Sequence, residues 1–79
     1  MFDLNKIEAE IKYVKNVFIS NEEELKLFQE RYLSKKGILP DIYESVVKTK
    51  GDKGDFFLMK MIELRHEVDA KVKRFNQSH

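Results

Sequence analysis

Tyr32-Leu33-Ser34-Lys35-Lys36-Gly37-Ile38-Leu39-Pro40 stops one helical pattern, turns the backbone and starts another. Lys35 and Lys36 fall in a last turn, where cations suit the negative end of a helix dipole. Gly37 reads as the left-handed residue that closes a helix C-terminus. Pro40 fits a first helical position, where a missing N–H costs nothing. Tyr32, Gly37 and Pro40 are therefore the structural corner. The two lysines are not needed for the turn.

Upstream of the corner, Leu25, Phe28, Tyr32 and Leu33 give a short apolar stripe. Its start is marked by capping-box spacing, either Ser20 with Glu23 or Asn21 with Glu24. Glu22, Glu23 and Glu24 complement the positive end of a first turn. Further back, Leu4, Ile7, Ile11, Val14 and Phe18 are spaced 3, 4, 3 and 4 apart, which is one face of a helix. Either Asp3 or Asn5 can cap it, and Lys6, Glu10, Lys12 and Lys15 read as its solvated face. Since neither glycine nor proline separates these two patterns, the break at Ser20–Asn21 is a corner or a kink.

Downstream, a short helix from about Pro40 to Lys48 is expected to bury Tyr43, Val46 and Val47. Thr49 to Gly54 holds the other two glycines and reads as an exposed connection. Asp55 is the N-cap candidate for a last helix from Phe56 to about Phe75, with a frayed tail from 76 to 79. Phe57, Met61, Leu64, Val68, Val72 and Phe75 continue the apolar spacing for five turns. Such a helix, roughly 30 Å long, needs an equally long partner surface. Phe57, Met61, Ile62, Leu64, Val68, Val72 and Phe75 are accordingly interaction-face candidates, for a homodimer or a partner helix.

Seventy-nine residues allow one small helical domain spanning 1–79. The absence of cysteine excludes disulfides, thiolate metal sites and a cysteine nucleophile. No signal-peptide pattern opens the chain, and Phe56–Met59 is its longest apolar run, far short of a membrane span. A cytoplasmic protein without membrane contact is the expectation. No alternating run with a hairpin turn argues for strands.

Formal net charge is only +1, but the charge is unevenly placed. From Arg31 to Lys50, five cations face Asp41 and Glu44 alone. Lys35 and Lys36 at the corner, Lys48, Lys50 and Lys53 near the second loop, and Lys71, Lys73 and Arg74 on the last helix are candidates for a discontinuous basic track. Such a track contacts phosphates without reading sequence. Tyr32 and Tyr43 have the ring chemistry to stack on a base, although both stand at core spacing.

Other chemistry fares worse. Gly51-Asp52-Lys53-Gly54 lacks a preceding strand and phosphate-loop spacing. His66, with Glu63 and Asp69 three residues to either side, is too small a set for a metal and reads as a solvated histidine. Glu63, Glu67 and Asp69 alternate with Lys60, Arg65 and Lys71 as surface pairs rather than converging in a cleft. Catalytic residues, metal and cofactor are expected to be none.

Phe28-Gln29-Glu30-Arg31-Tyr32-Leu33-Ser34-Lys35-Lys36-Gly37-Ile38-Leu39 resembles the "YLGKKG-x-L" signature in the N-terminal arm of bacterial phenylalanyl-tRNA synthetase alpha subunits. Ser20 to Leu25 is similar to the capped, glutamate-rich segment before that signature. Met61-Ile62-Glu63-Leu64-Arg65 is similar to "I-N-E-L-K" on the returning helix, and Ala70-Lys71-Val72 fits the segment after it. Ser34 replaces the signature's first glycine, Ile62 the usual asparagine and Leu58 a frequent glycine, and the 49–54 connection lacks the usual proline. The resemblance runs from about Glu8 to Phe75. It implies an all-α antiparallel helical hairpin or coiled coil with short additional helices, as an excised arm or a stand-alone relative. It further implies tRNA as partner, held by Lys35, Lys36 and Arg65. In that family aminoacylation belongs to a much larger downstream domain that 79 residues cannot contain, so no enzyme activity is expected of the chain alone. The rival expectation is a protein-interaction or self-associating helical module.

Overall fold

Apolar spacing on the first segment is realised in the computed structural model, which describes residues 4–49 and 51–78. Every element among them is a helix: α1 Leu4–Asn16, α2 Glu22–Leu33, α3 Ile38–Lys48 and α4 Asp52–Ser78. On α1 the 3-4 spacing buries Ile7, Ile11 and Val14. Phe18 does not join them. The helix ends at Asn16, and Phe18 stands 83 % exposed in the elbow before α2.

Asn21, rather than Ser20, caps α2. Its side chain accepts from the Glu24 N–H at 2.8 Å. The Glu24 carboxylate in turn accepts from the Ser20 N–H at 2.9 Å and the Ser20 hydroxyl at 2.6 Å. These bonds to Ser20 hold the Glu24 carboxyl below its ordinary value.

The corner follows a different rule from the one its glycine suggests. Gly37 has φ −77° and ψ 179°, ordinary extended backbone, and serves as N-cap of α3. Glycine suits the position because of space: a Cβ there would lie 3.0 Å from the Arg31 and Ser34 carbonyl oxygens and from the Tyr32 carbonyl carbon. The left-handed glycine is Gly51, with φ 83°, just before α4.

Pro40 sits in the first turn of α3 but is not its first residue, and the buried face also differs from the expected one. Leu39, Ile42 and Ser45 are buried, whereas Tyr43 is 57 % and Val47 62 % exposed. Val46 packs partly against the core. The stretch expected as an exposed connection is short as well, since α4 already begins at Asp52 and Gly54 is buried within its first turn. A Cβ on Gly54 would lie 2.5 Å from the Thr49 carbonyl oxygen, so α3 and α4 meet closely there. Asp55 is inside that helix rather than its cap, and α4 continues through Asn76 and Gln77.

Side-chain contacts give the direction of each helix. Lys60 pairs with Glu8 at 3.4 Å, Lys15 with Glu63 at 3.8 Å, and Lys71 donates to the Val17 carbonyl at 3.0 Å. α1 therefore runs alongside α4 in the same sense. Gly54 faces Thr49, while Met61 and Arg65 share a groove with Leu39 and Tyr43, so α3 runs the opposite way. α2 and α3 form one return path, broken at Ser34–Gly37. The molecule measures 43 × 20 × 17 Å, its long axis matching the roughly 40 Å of a 27-residue helix.

The core is one cluster built from all four helices, with Ile7, Val14, Tyr32, Ile42, Leu64 and Val68 fully buried. Each such side chain contributes about 1.5–3 kcal/mol of burial. The interaction face expected on the last helix is thus largely occupied from within. Leu64 and Val68 are core, Phe75 is 7 % exposed, and Phe57, Met61 and Val72 pack partly against the core cluster. Ile62 alone of that set turns outward, at 57 % exposure.

Candidate nucleic-acid interface

Tyr32 anchors the corner from below. Its ring is fully buried and tilted against Phe28, centroid to centroid 5.0 Å. Its hydroxyl donates to Glu10 Oε1 at 2.7 Å, while the Arg31 guanidinium donates to both Glu10 oxygens at 3.2 and 3.1 Å. Arg31 also lies over the Tyr13 and Tyr32 rings, 5.4 and 5.6 Å from their centroids. Burial, then the bond to Glu10, raises the Tyr32 hydroxyl well above its ordinary pKa. The bond to Tyr32, followed by Glu10, raises Arg31. Glu10, which the sequence places on a solvated face, is instead the link between α1 and α2. Tyr32 has no ring face to offer a base, and the charge of Arg31 is matched within the chain.

Beyond Tyr32 the surface changes character. The Ser34 hydroxyl donates to the Glu30 carbonyl at 2.6 Å, and the Gly37 N–H donates to the Ser34 carbonyl at 2.9 Å. These bonds close the turn and leave Lys35 and Lys36 exposed on it. Beside them opens a groove of about 310 Å³, lined by Leu33, Pro40, Tyr43, Met61 and Arg65 over a floor of Tyr32 and Leu39. Tyr43 lies half open on its wall. Arg65 keeps only a long contact to Asp69, 3.8 Å between exposed groups.

The other basic candidates lie elsewhere. Lys48 pairs with Glu44 at 3.2 Å on the outside of α3. Lys53 lines a cleft with Leu4, Asp52, Phe56 and Phe57 at the N-terminal end of α4. Lys71 and Arg74 border a groove under the α1–α2 elbow, and Lys73 is exposed. Lys50 lies outside the described residues. From Arg65 to Arg74 the helix makes two and a half turns, which puts the two on opposite sides of α4. The expected track is therefore divided: Arg65 lines the groove, and Lys35 and Lys36 are exposed on the turn whose flanking residues Leu33 and Leu39 line it too. The open ring of Tyr43 lines the same groove.

Among the described residues no group of three His, Cys, Asp or Glu side chains could hold a metal ion, and no helix is long and apolar enough to cross a membrane. His66 is exposed. Compared with known proteins, the chain matches no family model, no curated protein and no solved structure.

Proposed function

We propose that the chain is a non-catalytic helical module that binds tRNA through its sugar-phosphate backbone, as the N-terminal arm of bacterial phenylalanyl-tRNA synthetase alpha subunits does. The observation carrying this reading is the exposed Lys35–Lys36 turn beside a groove walled by Arg65 and the half-open ring of Tyr43. Cations on a rigid rod neutralise phosphates and release counterions, which gives affinity without sequence readout. The return of α2 and α3 along α4 supports an antiparallel arm. Ser34, with φ −71°, needs no glycine at the signature position and uses its hydroxyl to close the turn. A titration of labelled tRNA at low and high salt tests the reading. Binding at low salt that weakens as salt rises is expected; no binding at low salt overturns it.

A second reading, a protein-interaction or self-associating module, is favoured by a different observation. Tyr43 and Val47 on α3 and Leu58, Met59 and Ile62 on α4 are exposed apolar side chains. Sedimentation equilibrium separates the two: a concentration-dependent dimer supports self-association, and a monomer across micromolar concentrations removes it.

A further inference from the structure

The elbow between α1 and α2 presents Phe18 to solvent, 83 % exposed, in a turn that is otherwise pinned. Lys71 donates to the neighbouring Val17 carbonyl at 3.0 Å, and the Asn21–Glu24–Ser20 bonds fix the far side. The ring is thus an exposed apolar group on a rigid mount, not the tip of a loose loop. Beneath it lies a groove of about 280 Å³ bordered by Phe18, Ile19, Lys71, Arg74 and Phe75. None of the residues lining this groove is acidic, while Glu24 and Arg31 line the adjoining groove that shares Phe18. Lys71 spends one donor on a neutral carbonyl, so its charge is not matched by that bond.

We propose that this elbow holds an unpaired nucleotide of RNA, its base stacked on Phe18 and its phosphate held by Arg74 and Lys71. The inference rests on the RNA-binding reading above and adds a second contact on a different face. Three features select the occupant. A ring that projects offers a π face to a base, whereas a peptide side chain would need a closed pocket to bury in. The cations beside it suit a phosphate. Arg74 lies about 14 Å along α4 from Arg65 and half a turn around it, so a nucleic acid engaged at the corner reaches the elbow through a flexible strand rather than a straight duplex.

Fluorescence anisotropy of the full chain with a short unstructured RNA, the same RNA made abasic, and a matching RNA duplex tests this. Phe18→Ala is expected to weaken the unstructured RNA about tenfold, the usual effect of losing one base–aromatic stack. The abasic strand should bind wild type and Phe18→Ala alike, and duplex binding should not change. Phe18→Trp should restore the affinity for the unstructured strand. Circular dichroism of each variant checks that the helices remain. If the wild-type chain binds the unstructured RNA and the duplex and Phe18→Ala binds them equally well, this inference fails while the RNA-binding reading stands. If it binds neither, both fail. An acidic peptide whose binding depends on Phe18, with RNA binding unaffected by the substitution, also overturns the inference.

Discussion

At the elbow between α1 and α2 the chain turns with neither glycine nor proline, whereas the corner between α2 and α3 turns on Gly37 with Pro40 close behind. The elbow is held by side chains: Asn21 caps α2, Glu24 reaches back to Ser20, and Lys71 ties Val17 to α4. The corner is held by the Ser34 and Gly37 hydrogen bonds that close its turn and by the part-buried Glu10–Tyr32 link beneath it. The first kind of bend tolerates a large exposed ring at Phe18. The second leaves its lysines outside because the turn consumes only backbone and Ser34. The same contrast separates the two candidate surfaces, an aromatic elbow with cations behind it and a cationic corner with an aromatic wall.

Substitutions at the two bends should sort by mechanism. The largest loss is expected at Tyr32→Ala, about 3–5 kcal/mol, because it empties the core under the corner as well as breaking the link to Glu10. Tyr32→Phe keeps the ring and should cost about 1 kcal/mol. Gly37→Ala should follow at about 1–3 kcal/mol, since three backbone atoms already stand 3.0 Å from the new methyl group. Gly54→Ala is a sharp companion test. Helix propensity alone would stabilise it by about 1 kcal/mol, whereas the Thr49 carbonyl 2.5 Å away predicts destabilisation. At the elbow, Asn21→Ala should cost about 1 kcal/mol and Asn21→Gly only a few tenths. Phe18→Ala should stay within about 0.5 kcal/mol of wild type. Urea midpoints with unchanged slopes would measure the whole series.

The bends should also part company in pH. Tyr32 ionises later in the folded chain than in the unfolded one, so its contribution is complete below about pH 10 and is lost as pH rises beyond that. Glu24 has a lowered pKa, so its contribution is present above the ordinary carboxylate value of 4.5 and fades as pH falls below it. Tyr32→Phe should flatten the alkaline limb of a stability–pH curve and leave the acid limb alone. Glu24→Gln should soften the acid limb only.

Helices, and the stripes of α1 and α4, are legible in the sequence because apolar spacing alone sets them. Two things are not. The face of α3 admits two apolar patterns, Tyr43–Val46–Val47 and Leu39–Ile42–Val46, and only packing with the other helices selects the second. Expecting Tyr43 and Val47 to be buried hides the aromatic wall of the groove. The difference at Phe18 has the same origin. Its spacing continues the α1 stripe, but capping chemistry at Asn21 and Glu24 ends the helix first. The charged residues are identifiable by type, yet their grouping comes only with the packing. Arg31 is part of the link to Glu10, and Arg65 and Arg74 lie on opposite sides of α4.

The most direct measurement is the salt dependence of tRNA affinity for the wild-type chain and for Lys35→Ala with Lys36→Ala. If the corner holds phosphates, the double variant binds more weakly and its plot of log affinity against log salt is shallower by between about one and two. An unchanged affinity and slope would contradict the account.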